Sequence, residues 1–170
     1  MLLGNKIGRV FVTGGSGFIG SHVVDWLLYD GYQVTVYDNF SNGREEFIKS
    51  HIGKENFVLH KADLSDLDTL SEAMKEHDIV WHLAANTDII GGVDNPRKDL
   101  QDGIVGTFNV LESMRKSGLE KIIFSSTGAV YGDLCLEVAT SESAGPLMPV
   151  STYAAGKIGS EALISAFAHL

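Results

Sequence analysis

Cysteine is nearly missing from this 170-residue chain: Cys135 stands alone, so no internal disulfide can form and a disulfide-stapled scaffold is excluded. No run of about 18 apolar residues occurs, so no membrane-spanning helix is expected. The opening MLLGNKIGRVFVTGG has too short an apolar run, and no small-residue cleavage site, to be a secretory leader. Positive charge is also short, with 13 Lys plus Arg against 22 Asp plus Glu and a formal net charge of −9. That balance repels phosphodiester backbones and anionic membrane surfaces, so neither a nucleic-acid partner nor a membrane partner is expected. Proline is scarce, with 3 residues, which leaves no Pro-rich linker. His22, His51, His60, His77, His82 and His169 show no ligand spacing such as H-E-x-x-H, and Cys135 has no C-x-x-C partner, so no metal site is expected. Together these shortages point to a cytoplasmic protein.

Glycine, by contrast, is plentiful: 19 of 170 residues, against a usual share of about 7 %. The glycines gather where apolar runs stop. With 44 % hydrophobic and 21 % charged residues, the chain can bury one core, and residues 1–170 are expected to form one domain without repeats or linkers. Continuous β-rich runs are expected as strands near 9–13, 33–37, 56–60, 79–83 and 121–125. Segments of helical period lie between them, near 17–30, 67–76, 97–117 and 152–169. In the first helix Ile19, Val23, Trp26 and Leu27 fall on one apolar stripe, and Trp26 and Trp81 read as core. Residues 38–49 read as a loop with a short helix, and 132–151 as a long loop. Strand runs that are continuous rather than alternating imply helices on both faces. The expected fold is therefore α/β, a doubly wound parallel sheet of strand order 3-2-1-4-5.

The first β-turn-helix unit carries GxxGxxG at Gly14, Gly17 and Gly20. There the turn must be tight and the backbone must approach a pyrophosphate, with the amides of Phe18 and Ile19 at the helix N-terminus facing it. A second strand ends in Asp38, placed to accept hydrogen bonds from an adenosine ribose and to repel a 2′-phosphate, so NAD rather than NADP is expected. Asp63 and Leu64 follow the third strand, and Leu83, Ala84 and Ala85 the fourth, at the edge where open α/β sheets bind ligands. Asp63 suits either adenine or the N-cap of the following helix. Ala84 and Ala85 are small enough for a cofactor to lie close, although alanine there is also ordinary packing. His82, inside an apolar strand, reads as a satisfied core residue. On the far half, Tyr153 and Lys157 at i and i+4 share a face of the last helix. Ser125, Ser126 and Thr127 follow the fifth strand. A nearby ammonium favours the phenolate, which would suit Tyr153 to act as a general base.

The chain closely resembles the extended short-chain dehydrogenase/reductase family, the NAD-dependent sugar-nucleotide epimerases and dehydratases. The resemblance rests on TGGSGFIGSH from Thr13, YDNFSNG from Tyr37, ADLSD from Ala62, HLAAN from His82, GTFNVLES from Gly106, SSTGAVYG from Ser125 and PVSTYAAGK from Pro149. It implies a Rossmann-type domain and a catalytic triad of Thr127, Tyr153 and Lys157. Asn39 and Ser41 join the cofactor-binding set, with Ser125 and Ser126 beside the nicotinamide. The implied mechanism is hydride transfer from a hexose carbon to bound NAD while Tyr153 removes the hydroxyl proton. Thr127 orients that hydroxyl, and Lys157 also binds the nicotinamide ribose.

The sequence departs from the family pattern in three places. Dehydratases usually carry Asp-Glu after the triad hydroxyl, and decarboxylases a Glu at the second position; here Gly128 and Ala129 stand there. UDP-glucose 4-epimerase-like chemistry on a UDP-hexose is thus expected, with another NAD-dependent reductase or dehydratase as the alternative within the family. Gly103 replaces an Asn that often contacts the cofactor region, and a glycine within a helix costs up to about 1 kcal/mol against alanine. Family members also run to about twice this length, beyond one domain of about 150 residues. This chain is therefore expected to be an N-terminal part lacking the substrate-binding half, and inactive or nearly so by itself. The competing class is a catalytically silent NAD-binding sensor or scaffold module. By resemblance, a homodimer is expected through the helices near 97–117 and 152–169, with Val105, Phe108, Val110 and Met114 as candidate apolar positions.

Overall fold

The computed structural model describes residues 8–135 and 139–170, without the side chains of residues 134 and 135. The opening segment and the Cys135 thiol therefore lie outside the described residues. Two compact units are present: Met1–Ala84 with Asn109–Ser125, and Ala85–Phe108 with Ser126–Leu170.

The first unit is built on a five-stranded parallel sheet: β1 (Arg9–Thr13), β2 (Gln33–Asp38), β3 (Phe57–Lys61), β4 (Ile79–His82) and β5 (Ile122–Phe124). The order is β3-β2-β1-β4-β5, as the sequence pattern predicts. Val10 pairs with Val34 on one side and Ile79 on the other. Alternate residues point to opposite faces, and both faces of β1 are buried: Val10, Phe11 and Val12 are all fully covered. On one face, Val10, Val12, Val34 and Val36 pack with Val24 and Leu27 of helix α1 (Phe18–Tyr29), with Tyr32, Ile48, Phe57 and Ile79 completing the cluster. On the other, Phe11 meets Tyr37 and the edge of the His77 ring, which follows α2 (Leu67–Met74). Ser71 of α2 in turn hydrogen-bonds Ser113 at 2.9 Å.

The apolar stripe of α1 is rotated from its expected position. Gly20, Ser21, Val24 and Leu27 are buried, whereas Ile19 and Trp26 are 62 % and 44 % exposed. Gly20 sets this rotation. A Cβ there would collide with the Gly14 carbonyl, so only a glycine face can be laid on the preceding turn, and Val24 and Leu27 follow it inward. Trp26 is accordingly no core residue; it meets the half-buried Trp81 edge to face at 5.9 Å.

The second unit holds two short helices, α3 (Gly91–Asp94) and α4 (Pro96–Asp99), then a π-helical stretch, Leu100–Val105, that leads into α5 (Gly106–Ser117). The single helix expected over 97–117 is thus three successive helical segments. The wide middle turn meets α6 (Thr152–Phe167) through small residues: a Cβ on Gly103 would lie 3.5 Å from Gly156 Cα. Thr107 and Ser160 share a buried hydrogen bond at 2.9 Å on the same seam. Residues 128–135 are helical turns with a non-helical Gly132 inside, where the sequence reads as loop from 132 on.

Candidate functional site

In the first unit, the turn from β1 to α1 is shaped by its glycines. Gly14 has φ +70°, and a Cβ there would lie 2.7 Å from the Ala84 nitrogen. Its own N–H donates to the Tyr37 carbonyl at 3.0 Å, and Gly17 N–H donates to the Gly14 carbonyl at 3.1 Å. No side chain caps α1. Its first helical bond runs from Ser21 N–H to the Gly17 carbonyl at 2.9 Å, so the amides of Phe18, Ile19 and Gly20 precede the first intrahelical donor. An uncapped N-terminus with the positive end of the helix dipole is suited to an anion.

Asp38, at the end of β2, is buried and holds this turn. Its Oδ2 accepts from Ser16 N–H at 2.9 Å and its Oδ1 from Phe40 N–H at 2.8 Å. The Ser16 hydroxyl is itself buried and lacks a partner, the one such side-chain atom among the described residues; it lies against Gly43, where a Cβ would strike it. Asn39 donates to Asp63 Oδ2 at 2.6 Å, and Ser41 N–H donates back to Asn39 Oδ1 at 2.9 Å. Asp63 Oδ1 accepts from Ser65 N–H at 2.9 Å. The N-cap of α2 is not Asp63 but Asp66, which accepts from Thr69 N–H at 3.1 Å. Thr69's bonds hold the Asp66 carboxyl below its ordinary pKa. Burial, then the carboxylates of Asp66 and Asp63, push the Tyr37 phenol up to about 12; it donates to the Asp63 carbonyl at 3.1 Å. The Leu64 carbonyl accepts from Asn109 at 2.8 Å.

The end of β4 is tied to β1 through one hydroxyl. Thr13 Oγ1 accepts from Leu83 and Ala84 N–H, each at 3.2 Å, and lies 2.6 Å from His82 Nδ1. Thr13 Oγ1 and His82 Nδ1 share a buried hydrogen bond. His82 is thus the satisfied buried residue its apolar strand implies. Ser125 N–H donates to the His82 carbonyl at 3.4 Å.

In the second unit, Tyr153 and Lys157 lie one turn apart on α6, with the Lys157 ammonium 5.9 Å from the Tyr153 ring centre. Lys157 is buried, and desolvation pulls its ammonium down to about 8, opposed by the charge of Glu161 a further turn on. The Ser126 hydroxyl donates to Glu161. Thr127 Oγ1 accepts from Ala129 N–H at 3.2 Å, which sets its side chain at the start of the 128–135 turns. Gly128 and Ala129 follow it with no ionisable group. Ala85 opens this unit beside the buried Asn86. Sequence reasoning passes over Ser16, Asn86, Asp99 and Glu161, because polar residues at such positions ordinarily face solvent.

A family model described as GDP-mannose 4,6 dehydratase matches residues 11–170. The chain is 39 % identical over 166 residues to the UDP-glucose 4-epimerase of Mycolicibacterium smegmatis, covering 95 % of this chain and 52 % of that protein. Among solved structures, the UDP-N-acetylglucosamine 4-epimerase of Methanobrevibacter ruminantium in complex with UDP-N-acetylmuramic acid superposes with a TM-score of 0.88 at 38 % identity, over 96 % of this chain and 51 % of that one. The UDP-glucose 4-epimerase of Thermus thermophilus complexed with NAD gives 0.85 at 36 % identity, over 95 % and 51 %. The chain spans about half the length of the relatives it matches.

Proposed function

The chain belongs to the GDP-mannose 4,6-dehydratase family, the extended short-chain dehydrogenase/reductases, and on that premise we propose that it is the NAD-binding part of a sugar-nucleotide 4-epimerase acting on UDP-hexoses. The first unit fits a dinucleotide. An uncapped helix N-terminus offers amides to a diphosphate, Gly14 leaves the backbone bare, and the buried Ser16 hydroxyl still has hydrogen-bonding capacity to fill. Asp38, Asn39 and Ser41 would hold the adenosine ribose, Asp63 and Leu64 the adenine, and Leu83, Ala84, Ala85 and Ser125 would line the remainder. When bound, NAD supplies a reversible two-electron acceptor for a sugar carbon.

The observation that carries the reading is the pairing of Tyr153 with a buried Lys157 on one face of α6, after a Thr127 that is followed by Gly128 and Ala129. The Tyr153 phenolate takes the proton of the sugar hydroxyl and later returns it. Thr127 holds that hydroxyl. Lys157, lowered to about 8, remains an ammonium at neutral pH and would bind the nicotinamide ribose. Eliminating water needs a further acid and base; neither Gly128 nor Ala129 can move a proton, which favours epimerisation over dehydration. A homodimer is part of this proposal, supported by Val105 and Phe108, each 43 % exposed, while Val110 and Met114 turn inward. Cytoplasmic residence is also part of it, supported by the single cysteine.

The experiment is an NAD titration followed by an assay of UDP-glucose and UDP-galactose interconversion, both on the full-length protein. Tyr153→Phe is expected to keep NAD affinity and to lose at least about 100-fold in rate. A dehydrated or decarboxylated product, or NAD binding with no turnover in the full-length protein, would overturn the epimerase reading.

A further inference from the structure

One buried carboxylate takes no part in the chemistry above. Asp99, the last residue of α4, is 3 % exposed. A charge so placed is tolerated only when its oxygens are hydrogen-bonded, and both are. Oδ1 accepts from Asn86 Nδ2 at 2.8 Å, and Oδ2 accepts from the Thr152 hydroxyl at 2.6 Å. The backbone closes around it. A Cβ on Gly92 would collide with Oδ2, and one on Gly156 would lie 3.3 Å from the Asp99 carbonyl oxygen. A single residue thus ties three segments of the second unit together: the stretch 86–92, α4 and the first turns of α6.

The place where it grips α6 gives the contact its meaning. Thr152 opens the helix and immediately precedes Tyr153, and Ser151, the N-cap, accepts from Ala154 N–H at 3.1 Å. A first helical turn is ordinarily the most prone to fray, having few intrahelical bonds. Here it is fixed at Ser151 from within and at Thr152 from outside, while Lys157, one turn on, is buried. The phenol therefore leaves the backbone next to the residue that Asp99 holds.

We propose that Asp99 is a positioning residue: through Thr152 it fixes the first turn of α6 and hence where Tyr153 presents its phenol, and through Asn86 it locks that turn to the 86–92 segment. The role of Tyr153 rests on the proposed function; the placement of its ring by Asp99 does not, and the two can be tested apart.

The test compares Thr152→Val, which removes the hydroxyl at nearly constant volume, with Thr152→Ser, which restores it, and with Asp99→Ala alone and combined with Thr152→Val. Asp99→Asn is the control, since its amide can still accept from Asn86 and donate to the Thr152 oxygen. Two readouts are taken on the full-length protein: the NMR signal of Tyr153 labelled with ¹³C at Cζ, assigned by its loss in Tyr153→Phe, and kcat against KM for UDP-hexose interconversion. Thr152→Val and Asp99→Ala are expected to shift or broaden the Tyr153 signal and to lower kcat about 10-fold. KM and NAD affinity should stay within about twofold. The double variant should be no worse than either single one, and Thr152→Ser and Asp99→Asn should match wild type. An unmoved Tyr153 signal in folded Thr152→Val, or additive losses in the double variant, would overturn the proposal. A moved signal in a full-length protein that never epimerises UDP-hexoses would support the positioning role and sink the proposed activity instead. Should Asp99→Ala fail to fold, Thr152→Val against Thr152→Ser decides the matter.

Discussion

Lys157 shows how one residue's environment becomes measurable. Burial lowers its ammonium from the ordinary 10.5 to about 8, so between those values the unfolded chain binds a proton that the folded chain does not. The desolvation penalty is therefore complete below pH 8 and is relieved as pH rises toward 10.5. Relative to Lys157→Met, wild-type stability in urea denaturation should rise across that window by up to about 3 kcal/mol; parallel pH profiles would refute the buried ammonium. Asp38 is the second case. Its two oxygens already hold Ser16 and Phe40 N–H, so Asp38→Asn turns an amide donor toward one of those donors while removing the charge that repels a 2′-phosphate. NAD affinity should fall, NADP affinity should fall less or rise, and the ratio of the two dissociation constants should narrow in a fluorescence titration. An unchanged ratio would count against Asp38 as the discriminating group. The candidate nucleotide residues stand out in the sequence because closely spaced glycines after one strand and an acid ending the next rarely coincide except at a dinucleotide site. Asp99 is not, since an acid near the end of a charged helix reads as solvated until the structure shows Asn86 and Thr152 on its two oxygens.

Among the elements, the strands are the most readable, because continuous runs such as Val10-Phe11-Val12 can only be buried on both faces. Helix faces are less so. In α1 the side-chain pattern favours Ile19 and Trp26, yet a contact made by the absence of a side chain, Gly20 on the Gly14 carbonyl, rotates the helix away from them. Hydropathy cannot register a residue whose contribution is its missing Cβ. Two glycine substitutions differ for the same physical cause. Gly14→Ala places a methyl group 2.7 Å from the Ala84 nitrogen at φ +70°, so it should destabilise by several kcal/mol, as expected where neither strain nor clash can relax. Gly103→Ala meets the Gly156 backbone no closer than 3.5 Å, an ordinary contact, and should be neutral or stabilising by up to about 1 kcal/mol from helix propensity. Melting temperatures moving in the same direction for both would contradict these two environments.

At the scale of the whole molecule, a net charge of −9 opposes self-association unless apolar surface offsets it. Such surface is present on the helical segment that ends the first part of the second unit: Leu100, Val105 and Phe108 are 51 %, 43 % and 43 % exposed. Phe108 also meets Phe167 of α6 edge to face at 5.8 Å. The sequence marks Val105, Phe108, Val110 and Met114 equally, since a helical period alone does not say which of two apolar faces turns inward. The structure divides them: Val110 and Met114 are buried at 0 % and 4 % exposure, which leaves Val105 and Phe108 as the candidates for a subunit contact. A two-fold contact would set each residue near its own copy, so an introduced charge there meets a like charge in an apolar setting, whereas in a monomer it stays in water. Multi-angle light scattering should therefore give a dimer for the wild type and a monomer for Phe108→Glu, with the circular dichroism spectrum unchanged. A wild-type monomer at all accessible concentrations, or a Phe108→Glu dimer, would show that these side chains are not where the chain associates.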